Sequence, residues 1–399
     1  MLTTTENNLL PTYIAEVIVL LMALGTVFVF SAGVNISQDI DLQRFYYFPA
    51  LRQLLFFPIA CAILYVISLF NYRRFALTSG WFKSPLPYLL VLSIVLLILV
   101  LFPQFGTEVN QARRWLRIPA GPITISFQPS ELAKWVLIFF LAAFCDKYAD
   151  SLKLFWGGFV PLCLLVAVVA GLIITQDLGT AVFISLLSFL ILIIAGARWW
   201  HILTPLPFGI AAFCFMLIHS PGRLMRITAF LNPNDLTDSA NYQSSQSLIA
   251  LGSGGLWGKG LGMGICKYGH LPEDTTDFVF AIIGEEFGFV GTLAVILLFI
   301  IFIWLGILVV VRCRDCFGQL LAAGIVLAIG IQAALNIGVV TVVLPTKGIP
   351  LPFVSSGGTS MLLSAVAVGV LLNIARQSPK LTAGVADTPD LLRRREEER

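Results

Sequence analysis

Residues 270–291 read HLPEDTTDFVFAIIGEEFGFVG. The stretch opens polar and acidic, with Glu273, Asp274, Thr275, Thr276 and Asp277, then turns apolar and stays so to about Val311. Glu285 and Glu286 lie inside the apolar part, and Asp277 sits on the seam. A carboxylate in hydrocarbon is costly unless it faces a partner or a wet cavity, so all three are candidate functional groups. Asp277 has a second reading. Thr275, Thr276 and Asp277 all suit the N-cap of an apolar helix. Position alone does not choose between a cap and a working acid.

Outward from this stretch the chain has the composition of a membrane protein. Its 399 residues are 58% hydrophobic and 12% charged, where a soluble domain is about a quarter charged. About ten apolar runs reach the ~20 residues a spanning helix needs: 13–34, 48–70, 86–103, 130–146, 156–175, 178–197, 200–219, 277–311, 318–345 and 357–376. The eighth is longer than one membrane thickness, which predicts tilt or projection from the bilayer. The expected fold class is all-α and polytopic. Residues 1–376 form one membrane-embedded domain, and 377–399 a short polar tail that reads as disordered.

An even number of spans puts both termini on one side. Of the 25 Lys and Arg, 14 fall on that side, which makes it cytoplasmic by the positive-inside rule. The first run is long enough to span and does not read as a cleavable signal peptide. A net charge of +3 gives no reason to expect a nucleic-acid partner. Most of the seven Cys lie in apolar runs as small core residues. Cys313 and Cys316 form a CxxC with no second pair, which argues against zinc.

The chemistry must then lie in the loops opposite the termini, 104–129 and 220–276, and in the embedded face next to them. The second loop holds GSGGLWGKGLGMG, Gly252 to Gly264. It is not a phosphate-binding P-loop, because Lys259 is followed by Gly260 and no strand precedes it. Its glycines read as flexible backbone or close approach between segments.

Four regions supply candidate residues. In 106–134, Arg113 and Arg114 precede Trp115, and Gln128, Pro129, Ser130 and Glu131 open a helix with Lys134 at i+3 from Glu131. Glu131 and Lys134 could pair as neighbours on one face, or the cations could serve a phosphate or pyrophosphate beside a helix start. Trp115 also suits an interfacial anchor. In Thr175–Thr180, Asp177 is either a cap or the counter-charge to those cations. Arg226, and Tyr242 with Gln243, add charge and sugar-compatible hydrogen bonding. Finally, 345–360 packs prolines and glycines around Lys347 and Ser355. It cannot be a regular helix, and irregular backbone at membrane depth must be buried in protein or line a cavity. A wet, cation-rich cavity with Asp277 at its wall is the expectation.

Five stretches together carry a family resemblance. ARRW…FQPSELAK, QDLGTA, YQSSQSLIALGSGGLWGKGLG, LPEDTTDFVFAIIGEEFGFVG and NIGVVTVVLPTKGIPLPFVSSGGTS closely resemble, in order, the motifs of the shape, elongation, division and sporulation family of FtsW, RodA and SpoVE. NIGVVT and PTKG lean toward the FtsW and SpoVE branch. Two positions depart from the pattern: Ser356 where Tyr is usual, and Thr359 where Ser is usual. The resemblance implies an inner-membrane glycosyltransferase that polymerises lipid II and releases undecaprenyl pyrophosphate. It implies ten helices with a large extracytoplasmic loop between the seventh and eighth. The implied partners are a class B penicillin-binding protein and other divisome or elongasome membrane proteins, and the implied catalytic acid is Asp277. Displacement at the sugar needs a base at the acceptor hydroxyl and positive charge at the departing pyrophosphate. The candidates for contacting substrate are Arg113, Arg114, Trp115, Gln128, Ser130, Glu131, Lys134, Asp177, Arg226, Gln243, Lys259, Lys347 and Ser355. A divalent cation, Mg or Mn, could assist at the pyrophosphate, but no ligand cluster is readable. A lipid II flippase and a non-catalytic division scaffold are the alternatives.

Overall fold

The structure is a computed structural model describing residues 9–33, 49–77, 80–109, 112–120, 123–231, 239–267 and 275–386. In chain order come α1 (Leu10–Gly33), α2 (Pro49–Leu69) and α3 (Leu86–Leu101), then strands β1 (Gly106–Val109), β2 (Ala112–Ala120) and β3 (Ile123–Phe127). They are followed by α4 (Pro129–Lys147), α5 (Val160–Ile174), α6 (Leu178–Ile194), α7 (Trp199–Leu203), α8 (Leu206–Ile218), α9 (Pro221–Leu231) and α10 (Ser239–Ser253). The last three are α11 (Val279–Arg312), α12 (Cys316–Val340) and α13 (Gly358–Ala386).

Every apolar run of the sequence falls on a helix, or on two helices in line. Among the described residues, 7 helices are long and apolar enough to cross a membrane, and α3 and α6 are shorter apolar helices. The chain is a multi-pass membrane protein. Helix α4 is as long as a span but carries Glu131, Lys134, Asp146 and Lys147. It tolerates the first two because it is a core helix, with all but a few of its residues buried.

The all-α expectation needs one correction. Loop 104–129 contains a small antiparallel sheet in the order β1-β2-β3. Leu116 pairs with Gly106 on one side and Phe127 on the other. The β-branched alternation in Ile123–Phe127 is the local cause. The polar tail also begins later than 377, since α13 continues to Ala386. Residues 387–399 lie outside the described residues.

The overlong eighth run is resolved by a break. At Gly288 the backbone leaves helical geometry (φ 65°, ψ −158°). On its C-terminal side, Phe289–Arg312 is about 24 residues or about 36 Å long at 1.5 Å per residue, one membrane thickness with a modest excess. On its N-terminal side, Val279–Glu286 is buried along its whole length.

The glycine-rich segment closes the break. In an unbroken helix the carbonyls of Glu285 and Glu286 would accept from Phe289 and Val290. Here they accept from the amides of Lys259 (3.0 Å) and Gly260 (2.9 Å), while Phe289 and Val290 donate to the carbonyls of Gly255 (2.9 Å) and Leu256 (3.2 Å). The side chains complete the joint. Glu285 accepts from Lys259 Nζ (2.7 Å) and from the amides of Ile265 and Cys266, and Glu286 accepts from Lys267 Nζ (3.0 Å) and Ser31 Oγ. The two acids inside the apolar run are thus structural, each satisfied by a lysine from the loop. Close approach is the glycines' role: a Cβ on Gly258 would collide with the Glu286 carbonyl oxygen.

Candidate active site

A cavity of about 430 Å³ opens between the sheet, the N-terminal end of α11 and the loop that joins α12 to α13. Its wall carries five cations (Arg52, Arg114, Arg117, Arg226 and Lys347) and three carboxylates (Glu131, Asp177 and Asp277). A cation-lined cavity therefore stands beside the irregular 345–360 stretch, with Asp277 on its wall.

Asp277 is held through its backbone. Asn336, buried on α12, donates its amide hydrogens to the carbonyls of Asp277 and Ile349, each at 2.8 Å. Two residues earlier, the Thr275 carbonyl accepts from the Ser356 amide at 2.9 Å. The segment is therefore tied to both limbs of the 341–357 loop, and the half-buried Asp277 carboxylate faces the backbone of that loop. A Cβ added to Gly348 would lie 3.1 Å from Asp277 Oδ2 and 3.9 Å from Arg114 Nη1, so acid and guanidinium converge on one glycine. The N-cap position of α11 falls on Phe278, whose side chain makes no cap bond.

The cationic wall is organised by Asp177, which does both things the sequence left open. Its Oδ1 caps α6 at the Thr180 amide (3.0 Å), and its Oδ2 meets Arg114 Nη1 at 3.3 Å. Arg114 Nε also donates to the Gln176 carbonyl at 3.1 Å, which fixes the guanidinium plane. Lys347 lies alongside, with its Cδ close to Gly179. Burial holds the Lys347 ammonium below the ordinary lysine value, and Asp177 pulls in the opposite direction. Trp115, Gln128, Glu131, Arg226 and Gln243 complete the expected residues on this wall.

Five expected residues do not line the cavity. Arg113 pairs with Glu108 at 3.3 Å. Ser130 is buried and accepts from Gln128 Nε2. Ser355 accepts from the Leu351 amide at 2.8 Å and braces the loop. Lys259 belongs to the α11 joint. Lys134 is the clearest correction. Its side chain is 1% exposed, bonded to Glu131 Oε2 (2.8 Å) and Gln332 Oε1 (3.0 Å). It neutralises Glu131, which also accepts from Ser360 Oγ at 3.0 Å. The ion-pair reading of Glu131 and Lys134 is the one the geometry supports. Lys134→Ala should accordingly act on stability, since breaking a buried pair from one side costs about 3–5 kcal/mol. A large fall in the thermal midpoint of the detergent-purified protein is the expected outcome; an unchanged midpoint with weakened substrate binding would restore the anion-site reading.

Two cavity cations were missed. Arg117 stands three residues beyond Arg114 in β2, next to the residues the motif did suggest. Arg52, in the first turn of α2, donates to Ser356 Oγ at 3.3 Å. This contact uses a position where the sequence departs from the family pattern. A tyrosine there would put a ring where Ser356 now offers a small acceptor.

No three His, Cys, Asp or Glu side chains come together as a metal set among the described residues. A Mg or Mn ion that bridges to substrate phosphates needs only one or two protein carboxylates, so an ion at the pyrophosphate remains a proposal and no chemical step is assigned to one.

Comparison with known proteins agrees with the geometry. The FtsW, RodA and SpoVE family, described as cell cycle proteins, matches residues 11–380. The chain belongs to this family. A probable peptidoglycan glycosyltransferase FtsW from Trichlorobacter lovleyi is 37% identical over 90% of this chain and 91% of its own length. Stage V sporulation protein E of Bacillus subtilis is 37% identical over 94% of this chain and 99% of its own. Among solved structures, a chain from a peptidoglycan synthase complex superposes with a TM-score of 0.70 over 92% of this chain and 97% of that one. At 24% identity it bears on the fold alone.

Proposed function

We propose that this cavity is where the chain, a peptidoglycan glycosyltransferase of cell-wall synthesis, polymerises lipid II, with Asp277 as general base. The supporting observation is the convergence of Asp277 Oδ2 and Arg114 on the Gly348 backbone: an acid beside a cationic wall, in a cavity large enough to hold sugars. In the proposed step Asp277 takes the proton from the acceptor sugar hydroxyl. The hydroxyl oxygen bonds to the anomeric carbon of the donor from the face opposite the leaving group. The bond from that carbon to the pyrophosphate oxygen breaks, and its electron pair leaves on undecaprenyl pyrophosphate. Arg114, Arg226 and Lys347 carry positive charge toward the developing anion, the kind of preorganised stabilisation that weighs most in such sites. Asp177 keeps Arg114 in place and α6 capped.

The finer topology belongs to the same proposal. Ten spans (α1 to α6, α7 with α8 as one, and α11, α12 and α13) put both termini in the cytoplasm. The cavity and the 220–276 loop, between the seventh and eighth spans, then lie outside the cytoplasmic membrane. The partner proposed is a class B penicillin-binding protein, which would cross-link the strands made here, together with other membrane proteins of division or elongation. Reporter fusions after Gln111 and Leu236 should be inactive for a cytoplasmic reporter, and cytoplasmic activity at both would overturn the topology.

The activity is tested with purified protein, its transpeptidase partner and labelled lipid II in vesicles, resolving glycan chains by length. Polymers are expected. Translocation of lipid II across the bilayer with no polymer would overturn the proposal in favour of a flippase, and a protein that does neither would be a scaffold.

A further inference from the structure

The segment that closes the α11 break turns its apolar side chains outward. Trp257 is 80% exposed and Met263 69%, with Leu256, Leu261 and Ile265 exposed beside them. They alternate with Gly258, Gly260, Gly262 and Gly264, so almost nothing polar separates them. Lys259, the one charged residue among them, is turned inward onto Glu285. A loop in water has no reason to sort its side chains in this way.

Three observations indicate what covers this ridge. First, part of its polar backbone and the two neighbouring lysines are engaged internally. The amides of Lys259 and Gly260 and the carbonyls of Gly255 and Leu256 are bonded to α11, and the amides of Ile265 and Cys266 to Glu285. Lys259 and Lys267 are both paired with buried carboxylates. Each group engaged in this way lowers the cost of placing irregular backbone at the edge of hydrocarbon. Second, the ridge is docked on Glu285–Val290 and is continuous with the exposed apolar face of α11, beginning at Phe287, Phe289 and Val290 and running on through Leu293 and Leu297. That face lies at membrane depth on a spanning helix, where acyl chains are the surrounding medium. Third, its height fits. The break lies about 36 Å from the far end of α11, against a hydrocarbon thickness of about 30 Å. The ridge therefore stands at the boundary between acyl chains and headgroups, where Trp prefers to lie.

We propose that residues 256–265 form an interfacial anchor that inserts Leu256, Trp257, Leu261, Met263 and Ile265 into the leaflet on the cavity side. The anchor comes directly after α10, which carries Gln243 on the cavity wall and is bonded to α12 through Ser247 Oγ and the Val340 carbonyl at 2.7 Å. It thereby sets the height of that wall relative to the bilayer, where the headgroup of a lipid-linked substrate must be met. The anchor is independent of the role given to Asp277.

The test uses the full chain in nanodiscs of phosphatidylcholine and phosphatidylglycerol, where both faces are open to solvent. The emission of the wild type minus that of Trp257→Phe isolates Trp257. Nitroxide-labelled phosphatidylcholine with the label near the glycerol should quench at least half of this difference signal, with less quenching by a label near the chain end, and iodide in water should have little effect. A second variant, Met263→Glu, should reduce the lipid quenching of Trp257 and raise its iodide quenching. Strong iodide quenching of the wild-type signal with no response to labelled lipid would overturn the anchor. That result would mean the ridge stands in water and is left for a protein to cover.

Discussion

Asp277→Asn is expected to give an inserted, folded protein that binds lipid II and makes no glycan, with polymerisation down by roughly a hundredfold or more. The substitution keeps the size and leaves the backbone bonds untouched, since Asn336 holds the Asp277 carbonyl and not its side chain. It removes the negative charge and, with it, the capacity to accept a proton. The same variant is almost silent under the competing reading, because Asn and Asp are near-equal N-caps and even Ala at a cap costs only about 1 kcal/mol. The structure already weakens that reading by placing the N-cap position on Phe278. The decisive measurement is chain-length-resolved polymerisation with the transpeptidase partner present, alongside the thermal midpoint of the same preparation. Near-normal polymer would refute the base assignment, whatever the midpoint.

The helices were legible because a span must be about 20 apolar residues long, a constraint that lies within each run. The residues misplaced are those whose meaning depends on distant partners. Lys134 and Lys259 are cations in plausible motifs, but the side-chain carbonyl of Gln332 and the carboxylate of Glu285 that claim them are 198 and 26 residues away. Arg52 went unnoticed for the converse reason. Nothing near it in sequence suggests chemistry, and only the packing of α2 against α13 brings it to Ser356. Asp177 was open between two roles, and the structure gives it both because one carboxylate has two oxygens. Asp277 was marked by its position on a polar–apolar seam, a signal that survives without any knowledge of the fold. The small sheet could have been read from the alternation in 123–127. The break in α11 could not be placed, because several glycines of IIGEEFGFVG were equally good candidates.

The glycine that makes the break is the other position of large effect. Gly288→Ala is expected to abolish the folded, cavity-bearing state. Its φ of 65° with ψ of −158° lies in a region that is essentially restricted to glycine, at a cost of about 1–3 kcal/mol for another residue. The added Cβ would collide with the Gly258 amide nitrogen and lie 2.6 Å from the Leu256 carbonyl. These are backbone atoms of the bonded joint, which no rotamer change can move. Overpacking adds another 1–3 kcal/mol or so, and relief by expelling the loop would leave Glu285 and Glu286 buried without their lysines. Tryptophan-detected melting and size-exclusion yield should both fall sharply. Gly171→Ala is the control: it lies in α5 with nothing within 4 Å of the added carbon, and should melt like the wild type. Equal behaviour of the two variants would mean that the 252–267 segment does not lock into α11 as the hydrogen bonds indicate. A selective loss at Gly288 would show that the wall carrying Gln243 and the segment carrying Asp277 depend on one joint.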